Sequence, residues 1–162
     1  MTEEFADRLN DFTASELFAR SFREGMDLVE EAAAYLDGPG REESRALPRS
    51  GALAYAGESM RLTTRLMQVA SWLLVQRAVR EEEMSIEDAC DDKYRLGDDA
   101  IRKANFAGGQ TPETLKTLIE RTDKVFDRIR RIDEQIYGET GKKGPSNAVS
   151  EHHARLSAAF GK

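Results

Sequence analysis

The chain has 162 residues, with 24 Lys and Arg against 30 Asp and Glu, a net charge of −6 and a sequence pI near 5.1. The length predicts one domain with one hydrophobic core. The acidic balance disfavours binding to nucleic acid or to anionic lipid, because both carry negative charge.

The single cysteine, Cys90, excludes an internal disulfide and a cysteine-built zinc cluster, and so favours a reducing compartment. The first twenty residues carry acids where a secretory signal has bases. The longest uncharged apolar stretch, residues 69–76, is far shorter than the roughly 20 residues of a membrane-spanning helix. We therefore expect a cytoplasmic protein without a membrane span.

The first predicted helix follows a segment, residues 1–12, that we expect to be flexible. Thr13-Ala-Ser-Glu16 has the form of a capping box, which predicts that the helix begins there. Asp37-Gly-Pro-Gly40 predicts its end, since Gly and Pro stop helices. The apolar residues between these signals recur every three or four positions: Phe18, Phe22, Met26, Val29, Ala33 and Leu36.

The second predicted helix spans about residues 51–83 and would be roughly 45 Å long. It carries two apolar stripes, separated by roughly 120° to 160° on a helical wheel. The first stripe has the usual core-facing pattern: Leu53, Ala56, Met60, Thr63, Met67, Ala70, Leu74 and Ala78. The second stripe is Tyr55, Leu62, Leu66, Val69 and Leu73.

Two apolar stripes on one helix allow two interpretations. In the first, the second stripe is the interface of a homodimer, and its five residues are our candidates for that interface. In the second, the bundle is twisted, and the first and third helices cover both stripes within one chain.

The third predicted helix has clear boundary signals, with Thr111 as cap, Pro112 at the first helical position and Gly138 after the end. Between the second and third helices, Ser85-Ile-Glu-Asp88 predicts a short helical turn, and residues 81–99 hold nine acids and two bases. The third helix has an apolar stripe formed by Leu115, Leu118, Ile119, Thr122, Val125, Phe126, Ile129, Ile132 and Ile136.

These elements predict an all-α fold. We expect an antiparallel three-helix bundle over residues 13–138, and a homodimer. Residues 139–162 carry four bases and two acids among Gly, Pro, Ser and Asn, and we expect a disordered basic tail.

No catalytic or metal-binding motif emerges from the sequence. His152 and His153 lie in the tail rather than on a helix face, and none of the three helices carries a Glu-x-x-His pair. The acidic segment at residues 81–99, which we call the acidic connector, does not fit the spacing of a calcium-binding loop. We therefore predict a protein that is not an enzyme and that has no cofactor or metal.

A cluster on the second helix favours protein contacts. Arg61, Arg65, Gln68 and Trp72 share the sector that both apolar stripes leave free, and arginine beside a partly exposed tryptophan is typical of an interface hot spot. We take these four residues as candidates for partner binding. The alternative is that Trp72 lies in the core and that the arginines are solvated or paired with the acidic connector.

Three segments also resemble a known family. They are Phe22-Arg-Glu-Gly-Met26, Asp37-Gly-Pro-Gly-Arg41 and, most specifically, Glu58-Ser-Met-Arg-Leu-Thr-Thr-Arg-Leu-Met67 followed by Ser71-Trp-Leu-Leu74. Over about residues 15–138 the chain is similar to the family of the regulator of CtrA degradation, RcdA. The resemblance implies a helical, dimeric, non-catalytic adaptor of alpha-proteobacteria, which helps deliver substrates such as the response regulator CtrA to the protease ClpXP. It also implies two further partners: CpdR, which primes ClpX, and the cyclic di-GMP effector PopA.

The residues and the resemblance lead to one hypothesis. A rigid bundle binds cargo, and the basic tail, through candidates Lys142, Lys143 and Arg155, reaches a protease-bound partner and raises the local concentration of cargo. The rival hypothesis is a helical dimerisation or scaffold protein unrelated to proteolysis.

Overall fold

The computed structural model describes residues 3–96 and 111–138, which form six α-helices and no strand. The helices are α1 Glu3–Thr13, α2 Glu16–Asp37, α3 Pro39–Arg45, α4 Arg49–Arg80, α5 Ile86–Ala89 and α6 Glu113–Tyr137, with a 3-10 turn at Asp92–Tyr94. The prediction of an all-α fold is confirmed.

The three long helices α2, α4 and α6 pack against one another. α2 runs antiparallel to α6, because Arg121 pairs with Glu31 and Arg128, further along α6, pairs with Glu24. α2 is also antiparallel to α4, since its early residue Phe22 lies under Arg77 near the end of α4.

The helices α4 and α6 run parallel, which corrects the predicted antiparallel bundle. Arg65 lies 3.4 Å from Asp123, and Trp72, two turns later, lies 2.9 Å from Asp133. The reason is the connection between them: residues 81–112 are 32 residues long, so the chain can return along the 48 Å or so of α4 before α6 begins.

Helix α1 corrects the prediction of a flexible N-terminal segment. Phe5 and Leu9 are fully buried, and the Phe5 ring lies 5.2 Å from the ring of Tyr137. The Arg8 guanidinium donates to the carbonyl of Ile136 at 3.2 Å. Because α1 contacts α2, α4 and α6, it belongs to the core together with the three long helices.

The start of α2 differs from the predicted capping box. Thr13 is the last residue of α1, and its hydroxyl donates back to the carbonyl of Asn10. Ser15 is the cap instead, with its hydroxyl accepting the backbone N–H of Phe18 at 3.2 Å. A threonine and a serine two positions apart offered two starting points, and burial of α1 selects the second.

The end of α2 at Asp37 agrees with the prediction, but the expected polar connection after it contains the short helix α3. Gly40 is buried at this corner, where an added Cβ would lie 2.5 Å from the Tyr55 hydroxyl and 2.7 Å from the Tyr35 carbonyl. The Tyr35 hydroxyl donates to Glu43. These contacts fold the segment onto α2 and α4.

The boundaries of α4 and α6 also shift. Helix α4 ends at Arg80 because Glu82 adopts a positive φ of 59° and the N–H of Glu83 bonds to the Ala78 carbonyl at 2.8 Å, which closes the last turn. At the start of α6, Pro112 occupies the cap position, and the buried Thr111 hydroxyl forms no hydrogen bond with residues 3–96 or 111–138. The prediction of Thr111 as the cap is therefore wrong. The predicted apolar stripe of α6 is buried throughout.

Candidate functional site

Helix α4 turns its second apolar stripe into the core of the chain. Leu62, Leu66, Val69 and Leu73 are at most 5% exposed, and Tyr55 is half-buried. α2 approaches so closely that a Cβ on Gly25 would lie 2.6 Å from Leu73. The prediction of a dimer interface is wrong for the four buried residues, because α2 and α6 pack on α4 within one chain.

The first stripe, expected in the core, faces outward instead. Leu53 is 68% exposed, Met60 71%, Met67 65% and Leu74 49%. We call the outward stripe the α4 apolar face and define it as Leu53, Ala56, Met60, Thr63, Met67, Ala70 and Leu74. It extends over 22 residues of α4, or about 32 Å.

The α4 apolar face carries almost no charge. Between Leu53 and Leu74 the helix has three charged residues, of which Glu58 and Arg65 are buried. Arg61, the remaining one, pairs with Glu58. A helix face exposed to water normally carries charged side chains, whereas an exposed stripe of leucine and methionine is typical of a protein-binding surface.

Two of the four predicted partner-binding residues lie in the core. Arg65 is 5% exposed; its guanidinium lies 4.2 Å above the ring of Phe126 and 3.4 Å from Asp123. Trp72 is 2% exposed. The alternative placement of Trp72 in the core is therefore correct, while the partner of Arg65 lies on α6 rather than in the acidic connector. Arg61 is exposed and Gln68 is half-buried.

Asp133 of α6 is buried and accepts hydrogen bonds from α4 and from the residues after the 3-10 turn, an arrangement that we call the Asp133 junction. The sequence did not predict it. The Asp133 carboxylate accepts the indole N–H of Trp72 at 2.9 Å, the guanidinium of Arg95 at 2.9 and 3.2 Å, and the backbone N–H of Leu96 at 3.1 Å. A buried tryptophan N–H needs an acceptor, so an aspartate beside the apolar stripe of α6 was the available signal. The junction holds the residues after the 3-10 turn against α6, where Trp72 of α4 shares the same carboxylate.

Beside the α4 apolar face, this turn forms one wall of a groove of about 400 Å³. Met67, Gln68 and Val75 line it from α4, and Lys93 and Tyr94 line it from the turn. Trp72 lies at its base. We call it the turn groove. It brings together two predicted partner-binding residues, Gln68 and Trp72, and joins them to the α4 apolar face through Met67.

The tail candidates Lys142, Lys143 and Arg155, and the acidic connector beyond residue 96, lie outside the described residues. Within residues 3–96 and 111–138, no group of three or more His, Cys, Asp or Glu side chains is placed to hold a metal ion. In the same part of the chain, each helix is too short or too polar to cross a bilayer.

Fold and surface together define an all-helical protein whose most distinctive feature is an uncharged apolar face on its longest helix. The family described as "Protein of unknown function (DUF1465)" matches residues 9–160. The crystal structure of RcdA from Caulobacter crescentus CB15 is also similar, with 54% sequence identity and a TM-score of 0.67. The match covers 78% of this chain and 96% of that chain. No curated protein matches the sequence.

The chain belongs to the DUF1465 family, and its resemblance to RcdA, which the sequence motifs indicated, is confirmed. At 54% identity, the chain and the Caulobacter protein are distinct members of it.

Proposed function

We propose that this protein is a non-catalytic adaptor of regulated proteolysis, which helps deliver substrates such as the response regulator CtrA to ClpXP together with CpdR and PopA. Membership of the RcdA family supports the proteolytic context. The observation that carries the proposal is the α4 apolar face, because it leaves four large apolar side chains in water on a helix otherwise packed into the core. A surface of this kind serves protein contacts.

The α4 apolar face also supports self-association, because its sequence of side chains reads the same in both directions: Leu, Ala, Met, Thr, Met, Ala, Leu. Two copies of α4 packed antiparallel around Thr63 would place Leu53 opposite Leu74 of the second copy and Met60 opposite Met67. Such a contact is self-complementary, as a two-fold dimer requires. Large and small side chains alternate along it, which favours interdigitation.

The same face is suited to cargo. Methionine side chains are flexible and polarizable, so that Met60 and Met67 can adapt to partners of different shape. An amphipathic helix of a substrate would fit the face as a second copy of α4 does. The dimer and the cargo-bound state then compete for one surface.

A reconstituted degradation assay tests the adaptor role. The double variant Met60→Glu/Met67→Glu places two carboxylates on the α4 apolar face, and we expect adaptor-dependent degradation of CtrA by ClpXP to fall at least tenfold. The matched control, Ala33→Glu/Gln135→Glu, adds the same charge at exposed positions of α2 and α6 and should retain full delivery. Circular dichroism checks that both variants keep their helical content. Wild-type rates in the face variant would contradict the proposal.

The same assay separates the rival scaffold function and the role of the tail. A wild-type protein that self-associates but leaves the rate of CtrA degradation by ClpXP unchanged would favour a dimeric scaffold unrelated to proteolysis. Removal of residues 139–162 should slow delivery if Lys142, Lys143 and Arg155 tether the adaptor, because tethering raises the effective concentration of cargo. An unaltered rate would contradict that role.

A further inference from the structure

A second groove lies on the other flank of α4 from the turn groove. It runs between the first half of α2 and the end of α4 and encloses about 430 Å³. At about 100° per residue, Val75 of the turn groove and Arg77 of the second groove lie on opposite sides of Leu74. We call this site the α2–α4 groove. It is separate from the α4 apolar face and does not depend on the proposed role in proteolysis.

The floor of the α2–α4 groove is apolar. Phe22 and Met26 lie one turn apart on α2, and both are half-buried, so that each keeps part of its side chain available. Phe18 lies beneath them and is 2% exposed. The floor is therefore an accessible apolar surface on a rigid base, as binding sites for apolar side chains are.

The rim of the groove is rich in arginine. Arg77 already has partners within the chain, because its guanidinium lies 5.4 Å from the centre of the Phe22 ring and pairs with Glu81 at 2.9 Å. Arg23 and Arg80 are exposed, and neither forms an ion pair with any residue in the described part of the chain. The rim also carries Asp27, which leaves an excess of positive charge at one place on an acidic protein.

The other arginines near α2 behave differently. Arg121 and Arg128 reach from α6 to Glu31 and Glu24 of α2, at 2.8 and 2.7 Å. Among the described residues, carboxylates therefore satisfy Arg121 and Arg128 on the α6 side of α2, whereas on the α4 side Arg77 is paired and Arg23 and Arg80 are not. Because a guanidinium binds a carboxylate through two parallel hydrogen bonds, Arg23 and Arg80 are suited to carboxylates of another molecule.

We propose that the α2–α4 groove binds a peptide segment of a partner protein in which an apolar pair is flanked by acidic residues. The apolar side chains lie on Phe22 and Met26, and the flanking carboxylates bind Arg23 and Arg80. Arginine beside aromatic side chains is the composition of an interface hot spot. The rim charge adds attraction at long range, which raises the association rate and makes binding sensitive to salt.

Fluorescence anisotropy with the full chain and three labelled peptides tests this proposal. The probe has a Leu-Phe pair with two glutamates on each side. One control peptide replaces the glutamates by glutamine, and the other replaces the Leu-Phe pair by two serines. We expect the probe to bind at least tenfold more tightly than either control and to weaken as salt is raised. Absence of binding, or equal binding of the glutamine peptide, would overturn the proposal.

Variants then locate the site. Arg23→Ala/Arg80→Ala should weaken binding of the probe about tenfold, because both proposed carboxylate contacts are removed. Arg20→Ala/Arg131→Ala removes two exposed arginines outside the groove and should leave the affinity unchanged. Chemical-shift perturbation by the probe should centre on the amides of α2 around Phe22 and of α4 around Arg77. Full affinity in the first variant, or perturbations centred on the α4 apolar face, would refute the assignment.

Discussion

The two apolar stripes of α4 are alike in sequence and opposite in environment. One contains Leu62, Leu66, Val69 and Leu73 and is the centre of the core; the other contains Leu53, Met60, Met67 and Leu74 and faces water. Periodicity shows that both faces favour burial, but it does not show whether the covering partner is in the same chain. That difference depends on the path of the chain around α4.

In a simple amphipathic helix the charged side chains face water and the buried side is apolar, whereas α4 shows the reverse arrangement around its two stripes. The inward side of α4 carries Arg65 and Trp72, each with a partner on α6, whereas the outward side carries no unpaired charge over six turns. A polar residue on the inner face is tolerated because its partner lies on α6. The absence of charge outside is therefore the better sign of a contact surface.

The largest difference in the free energy of unfolding is expected between substitutions of two adjacent leucines, Leu73 and Leu74. Leu73→Ala removes a fully buried side chain and should lower the free energy of unfolding by about 3–5 kcal/mol. Leu74→Ala, one residue later on the α4 apolar face, should change it by less than about 1 kcal/mol. Urea unfolding followed by circular dichroism, at one low protein concentration, measures both. Equal losses would mean that the two stripes do not differ as described.

The Asp133 junction gives the next effect. Asp133→Ala leaves the Trp72 N–H without its acceptor and Arg95 without its carboxylate, and should cost about 2–3 kcal/mol. Trp72 is the single tryptophan of the chain, so its fluorescence should also shift as water enters beside the turn.

The control for the junction is Asp127→Ala, which removes a partly exposed carboxylate on the same helix and should cost under about 1 kcal/mol. If Asp133→Ala were as stable as Asp127→Ala and left the fluorescence unchanged, the junction would not hold the residues after the turn against α6.

The smallest effect concerns Tyr137 and pH. Burial raises the pKa of Tyr137 to about 12, and its hydroxyl donates to the carbonyl of Ala89 at 2.8 Å. The unfolded chain loses this proton near pH 10, so the contribution to stability is complete below pH 10 and is lost as pH rises towards 12.

Tyr137→Phe should therefore cost about 1 kcal/mol at pH 7 and make the alkaline loss of stability shallower. Unfolding curves at several pH values measure both effects. Part of the alkaline loss should remain, because burial and Glu43 raise the pKa of Tyr35 as well. An alkaline limb identical to that of the wild type would contradict the assignment to Tyr137.

The sequence predicted most of the helices, because their signals are local. The end of α2 at Asp37, the short helix after Ser85 and the apolar stripe of α6 follow from Gly, Pro, capping residues and spacing. Helix α1 was missed although Phe5, Leu9 and Phe12 have helical spacing, since eleven residues form a stable helix only when they pack on the rest of the fold.

The exposed surface of α4 and the grooves beside it could not be predicted from these local signals. The parallel arrangement of α4 and α6 is permitted by the length of the connection between them, and no local pattern in the sequence indicates the direction of α6. The Asp133 junction joins residues 61 positions apart, and the grooves beside α4 arise from elements that have no motif in common. The four predicted partner-binding residues lie on α4 close to its apolar face, but two of them, Arg65 and Trp72, are buried in the core beneath that face.

The most direct test of the outward stripe as a contact surface is sedimentation equilibrium of three proteins: wild type, Met60→Glu/Met67→Glu and the charge-matched control Ala33→Glu/Gln135→Glu. We predict that wild type and control self-associate with the same affinity, and that the face variant is a folded monomer with unchanged helical content. A face variant that associates as strongly as the control, or a wild-type protein that stays monomeric at all concentrations, would contradict the self-association proposed for the α4 apolar face.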